Sequence, residues 1–179
     1  MIIFLDIDGV LVHMNYDPSG RTPKQDFDPA CVTVLNKLTS ALQAVIVISS
    51  YWRYDLSLPR LQDTLEGAGV VARVIGVTPP LGGCRGTEIL LWVTQNAYEG
   101  NIIVIDDEVD TIRPHIPEYS ILYVKNGWET GGLKMEHISP FLNMEKLIKL
   151  QDKDDTQIKD SICPICSCNN ISTNLLGLK

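Results

Sequence analysis

Phe4-Leu5-Asp6-Ile7-Asp8-Gly9-Val10-Leu11 is the stretch on which the fold turns. The apolar run Ile2–Leu5 is unbroken and rich in isoleucine, as a strand buried on both faces requires, and it stops at an aspartate. Alternate side chains of an extended strand share a face, so Asp6 and Asp8 point the same way for as long as extension continues. Two such carboxylates repel in a dry crevice unless a cation lies between them, and hard oxygen ligands suit a divalent one. Gly9 lets the backbone turn tightly, or lets a phosphate approach with no Cβ in the way. Taken alone, Asp-x-Asp-Gly also fits a pair of turn or capping aspartates, and calcium-binding loops show the same pattern.

Four further apolar runs lie downstream, at residues 44–48, 70–75, 102–105 and 121–124. They too are continuous rather than alternating. Helical spacing fills the gaps. Pro29–Leu42 places Val32, Leu35, Leu38 and Leu42 on one side, with Asp28 positioned to cap its start. Residues 56–67 repeat the pattern with Leu58, Leu61 and Leu65, ending at Gly67 and Gly69, and residues 87–97 and 140–150 complete the set. Strands alternating with helices predict an α/β fold, a Rossmann-like doubly wound parallel sheet of about five strands.

Ligands of such sheets sit beyond the carboxyl ends of the strands. The residues after each run are therefore the ones to read. The first run delivers Asp6 and Asp8, the second Ser49 and Ser50, and the fourth Asp106 and Asp107. The third yields only Gly76, and the fifth Lys125. A pair of serines after a strand is often no more than a helix cap. The segment Asp106-Asp107-Glu108-Val109-Asp110 holds four acids in five residues, a strained arrangement without a cation.

The phrase from Phe4 to Leu11 resembles the first signature of the haloacid dehalogenase (HAD) superfamily, an apolar strand followed by Asp-x-Asp-Gly-x-Leu/Val. The resemblance implies a HAD-type phosphatase, with Asp6 as the nucleophile that forms an aspartyl-phosphate and Asp8 as general acid and base. It also implies Mg²⁺ as cofactor, held by the Asp6 carboxylate, the Asp8 main-chain carbonyl and the Asp106–Asp107 pair. Ser49, with Ser50 in reserve, matches the residue that hydrogen-bonds the transferring phosphoryl group. Which of Asp106 and Asp107 ligates directly is open, and Asp110 is a candidate to support them. Arg85 in Arg85-Gly86-Thr87-Glu88-Ile89 is similar to the cation of the third signature, with Lys125 as rival. That stretch, Ser49-Ser50-Tyr51-Trp52-Arg53 and Glu129-Thr130-Gly131-Gly132-Leu133 resemble the small cap-less HAD domains of bacterial and phage RNA-repair proteins. Tyr51 and the doubled glycine depart from that group's pattern.

A carboxylate is a poor nucleophile toward an anionic phosphate unless charge is cancelled, and a second carboxyl beside it can pass a proton to the departing oxygen. The two acids thus have different tasks. Only a loop lies between Leu11 and the first helix, and no large insertion follows the third strand. A minimal cap implies an open site for a bulky substrate, such as a phosphorylated nucleic-acid end or a protein. His13 and Tyr16 would border it, and Arg53 would reach the phosphate or solvent.

The whole chain has 179 residues, 45% hydrophobic and 21% charged, with a formal net charge of −7. Such a balance gives no long-range attraction to phosphate backbones or anionic membranes. No apolar stretch approaches the ~20 residues that span a bilayer, and Asp6 and Asp8 interrupt the start too soon for a signal peptide. A cytoplasmic protein without membrane contact is the expectation. The HAD-like unit covers residues 1–150; residues 151–179 read as a polar linker and a Cys-rich tail. In the tail, Cys163, Cys166 and Cys168 resemble one knuckle of a zinc ribbon but supply fewer than the four ligands that zinc takes.

Two other readings compete. A response-regulator receiver would need a phosphoacceptor aspartate at the third strand end, where Ile75-Gly76-Val77 stands. A catalytically idle HAD-like binding module would keep the fold without turnover.

Overall fold

In a computed structural model of the chain, residues 1–16 and 26–142 are described. Five strands form one parallel sheet: β1 (Ile2–Leu5), β2 (Val45–Ile48), β3 (Val74–Val77), β4 (Ile102–Asp106) and β5 (Ile121–Tyr123). Their order is β3-β2-β1-β4-β5, with every neighbouring pair parallel. From β1 the chain steps outward to β2 and β3, then returns to the other side of β1 for β4 and β5. The point where the order reverses lies between β1 and β4, which is where a doubly wound sheet opens a crevice.

The helices are α1 (Pro29–Leu42), α2 (Trp52–Asp55), α3 (Leu58–Gly67), α4 (Arg85–Gln95), α5 (Gly127–Thr130) and α6 (Met135–Ile138). Two cores form, one on each face. Ile3 and Leu5 of β1, Ile46 and Ile48 of β2, and Ile103 and Ile105 of β4 pack with Leu35 and Leu38 of α1, Leu61 and Leu65 of α3, and Ile138 of α6. The alternate residues Ile2, Phe4, Val47 and Val104 pack with Ile89 and Trp92 of α4. Continuous apolar strands are thus used on both sides. Asp28 caps α1, its side chain accepting from the Ala30 N–H at 2.7 Å.

Most elements fall where the sequence places them, but β3 does not. Its expected span, 70–75, gives way to Val74–Val77, with Val70 serving the core from the loop before it. Gly76 lies inside the strand because Trp92 packs over it: a Cβ there would come within 3.2 Å of the indole nitrogen. The helix expected at residues 56–67 starts two residues later, at Leu58, with Pro59 in its first turn, and the short α2 ending at Asp55 precedes it. The helix expected at 140–150 falls mostly outside the described residues, as do the 151–160 linker and Cys163, Cys166 and Cys168. Among the described residues no helix is long and apolar enough to cross a membrane.

Candidate active site

Strand register assembles the site. Leu5 lies opposite both Ile48 and Ile105, so Asp6, Ser49 and Asp106 come next at one level on three adjacent strands. The Asp6 N–H donates to the Ile105 carbonyl, and the Ser49 N–H to the Leu5 carbonyl, both at 3.0 Å. Even-numbered residues of β1 and β4 face α4, as does Val47 of β2. Continued alternation turns Asp6, Ser49 and Asp106 toward α4, and the first residue of α4 is Arg85.

The Arg85 guanidinium is buried between the strand ends. Its Nη1 donates to the Asp6 Oδ2 and, at 2.5 Å, to the Asp106 Oδ2. Burial, the largest single influence, works against its charge, but the carboxylates of Asp106 and Asp6 outweigh it and raise its pKa. Lys125, at the end of β5, is exposed.

Asp107 joins them from the loop. Ligand atoms of Asp6, Asp106 and Asp107 all lie within 4.8 Å of one another. One guanidinium against three carboxylates leaves excess negative charge in a buried place. Asp106, fully buried, has its pKa pushed up to about 8, first by burial and then by Asp6, with Arg85 opposing. Burial, Asp6 and Glu108 push Asp107 up to about 6. Three hard oxygen donors with an uncancelled charge are the donor set of a Mg²⁺-type cation. The residues present therefore fit the ion that the sequence implies. Asp110 is exposed and outside this group.

Asp8 is half-buried, two residues beyond Asp6. Beyond the end of β1 the chain turns after Ile7, with the Gly9 N–H donating to the Val12 carbonyl at 2.8 Å and Gly9 at φ +72°. The Asp8 Oδ2 accepts from the Trp52 indole N–H at 2.9 Å. Burial raises the Asp8 pKa more than this bond lowers it, with Asp6 adding to the rise. Trp52 was given no role from sequence; its indole N–H, a group that can only donate, in the turn after β2 is the signal that could have marked it.

Ser49 and Ser50 are both fully buried. The Ser49 Oγ has no hydrogen-bond partner among the described residues. The Ser50 Oγ accepts from the Trp52 N–H at 3.4 Å. Arg53 is not a solvated surface residue: its Nη1 donates to the carbonyls of Ser49 at 2.5 Å and Ser50 at 2.6 Å, and its Nη2 to the Glu88 carboxylate at 2.5 Å. It braces the turn that carries the serines. Thr78, the residue after β3, is fully buried beside this turn, its N–H bonded to the Ile48 carbonyl at 2.9 Å and its Oγ1 unpartnered among the described residues. The displaced end of β3 hid it from the sequence reading. His13 is also not a border residue: it is buried, with its Nε2 2.9 Å from Asp28 and its Nδ1 accepting from the Asn15 N–H at 3.2 Å. Tyr16 lies against it, ring centroids 6.5 Å apart.

A family model described as the HAD domain in Swiss Army Knife RNA repair proteins matches residues 2–131. That is more than half of the chain, and the chain belongs to this family. Comparison with curated proteins and with solved structures finds no match. Membership points to a HAD-type hydrolase in general terms, and Asp6, Asp106 and Asp107 form an acidic group that could hold a metal ion.

Proposed function

We propose, with that family membership as premise, that the chain is a Mg²⁺-dependent phosphomonoester hydrolase working through an aspartyl-phosphate on Asp6. The observation that carries the reading is the convergence of Asp6, Asp106 and Asp107 around a single buried guanidinium. Mg²⁺, held by Asp6, Asp106 and Asp107 with the Asp8 carbonyl, would cancel charge between nucleophile and phosphate. Arg85 holds the Asp6 carboxylate in place and adds positive charge where the phosphoryl group docks. The unpartnered Ser49 hydroxyl is ready to donate to a phosphoryl oxygen.

In the first step an Asp6 oxygen attacks phosphorus, the bond to the leaving oxygen breaks, and Asp8 gives that oxygen its proton. A raised pKa suits Asp8 to hold that proton, and Trp52 fixes one carboxyl oxygen so that the other faces the substrate. In the second step Asp8 takes a proton from water, the water attacks phosphorus, and the bond to Asp6 breaks to release phosphate. Among the described residues no domain is inserted between β3 and α4, which supports an open site and a bulky substrate such as a nucleic-acid end. A cytoplasmic location goes with this reading, and the buried Cys31 thiol, which is in no disulfide, fits a reducing compartment.

Turnover of a simple phosphomonoester with and without Mg²⁺ tests the reading. Asp6→Asn is expected to abolish it, and Asp8→Asn to slow it by about 10²–10⁴-fold. Near-normal turnover by Asp6→Asn overturns the mechanism, and an inactive, Mg²⁺-binding parent makes the chain an idle binding module.

A further inference from the structure

Beside the carboxylates stands a pair of side chains that neither the catalytic reading nor the core explains. Tyr51 and Tyr54 stack on one another with centroids 5.6 Å apart and ring planes 22° apart, yet they are 59% and 45% exposed. Stacked rings left in water forgo the burial that normally stabilises an aromatic side chain.

Their underside is built. The Arg53 guanidinium lies 4.8 Å from the Tyr54 centroid and 5.9 Å from that of Tyr51. It is fixed by the Ser49 and Ser50 carbonyls and by Glu88, so the rings rest on an immobile cation. The Arg85 guanidinium, which also bonds Asp6, lies 5.4 Å from the Tyr51 centroid. Tyr51, Arg53 and Arg85 line one cleft with Glu88 and Glu108. The exposed rings therefore begin one side chain away from the nucleophile.

We propose that Tyr51 and Tyr54 form a stacking platform for the nucleobase next to the scissile phosphate, making the substrate a phosphorylated nucleotide terminus. The inference rests on the phosphohydrolase reading for where the phosphate lies. The two rings are stacked with their planes 22° apart, so the pair presents a preformed aromatic surface, and every base offers a π-face to stack on it. Charge argues the same way. With a net charge of −7 and Glu108 exposed in the cleft, the chain attracts no long phosphate backbone. Recognition falls to the neutral face of one terminal base, and its dependence on salt is shallow.

The test is binding by full-length protein in an Asp6→Asn background, so that ligand survives. Calorimetry compares adenosine 5′- and 3′-monophosphates, 5′- and 3′-phosphorylated oligonucleotides, ribose 5-phosphate and a phosphopeptide. The nucleotides are expected to bind about tenfold or more tighter than ribose 5-phosphate. Tyr51→Ala with Tyr54→Ala should remove that preference, Tyr51→Phe should keep it, and the preference should persist as salt rises. Comparable affinity for monophosphate and oligonucleotide assigns the site to the terminal residue; a large gain with length, steep in salt, overturns the single-base platform. Equal or undetectable binding of nucleotide and ribose phosphate overturns it as well, as does a phosphopeptide that binds tighter with the same tyrosine dependence. The parent's phosphatase activity is scored separately: an inactive parent with a tyrosine-dependent base preference sinks the hydrolase reading and leaves the platform standing.

Discussion

The Asp107 carboxylate fills the place where a side chain on Gly9 would begin: a Cβ built on Gly9 overlaps its oxygens, and Gly9 already holds φ +72°. Residue 9 is thus glycine for two reasons, a left-handed turn and room for the Asp107 carboxylate. Gly9→Ala is expected to lower stability by about 1–3 kcal/mol and to weaken the response to Mg²⁺ by displacing Asp107. Denaturant melts with and without Mg²⁺ check it. Parent-like behaviour in both would mean that the turn relaxes freely.

The same carboxylates set a pH dependence whose sign changes with metal. In metal-free protein Asp107 is pushed up to about 6, against about 3.9 in an unfolded chain. Between those values the folded chain holds a proton that the unfolded chain lacks. This contribution to stability is full below about 3.9 and is lost as pH rises through about 6. Asp106, raised further, extends the loss upward. Metal-free protein is therefore expected to melt higher at pH 5.5 than at pH 7.5, by about 1–3 °C with the rest of the chain subtracted through Asp107→Ala. Mg²⁺ takes the protons' place, so millimolar Mg²⁺ should raise the melting temperature at pH 7.5 and much less at pH 5.5. A melting curve unmoved by Mg²⁺ at both values would remove these residues as ligands.

The tail gives a prediction of another kind. The family match ends at residue 131 and the described residues at 142, before the Cys163, Cys166 and Cys168 cluster. Residues 1–150 are proposed as the working unit. A chain ending at Leu150 is expected to keep Mg²⁺-dependent turnover and melting temperature. Loss of activity on truncation, or zinc bound stoichiometrically and lost on Cys163→Ser, would make the tail part of the enzyme.

How far the sequence could be read follows from what each signal depends on. The β1, β2 and β4 ends were legible because each apolar run stops at the residue that leaves the core, and parallel register then brings Asp6, Ser49 and Asp106 level. The end of β3 was not, since Gly76 interrupts its run and the glycine is explained only by Trp92, which arrives from α4. Thr78 was lost with it. Arg53 looked like a surface or substrate residue because nothing local announces Glu88, 35 positions away. Trp52 and Asp8, 44 apart, are joined by the same kind of long-range contact.

That long-range pair, Arg53 with Glu88, yields the last prediction. The Glu88 Oε1 accepts from the N–H groups of Leu81 and Gly82 at 2.9 and 3.2 Å, while Oε2 takes the Arg53 Nη2 at 2.5 Å. One nearly buried carboxylate thus ties the loop before α4 to the guanidinium that holds the Ser49–Ser50 turn. Removing one partner leaves the other charge buried and unpaired, so Glu88→Ala is expected to cost about 3–5 kcal/mol. Replacing both, as Arg53→Met with Glu88→Leu, should recover much of that stability, because no lone charge remains. Function should not recover with it, since the Ser49 and Ser50 carbonyls lose their donor and the turn proposed to bind the phosphoryl group loses its brace. Urea melts read the first effect, and inhibition by inorganic phosphate, expected to weaken in the double variant, reads the second. A double variant that regained both stability and phosphate affinity would show that Arg53 is only a core filler.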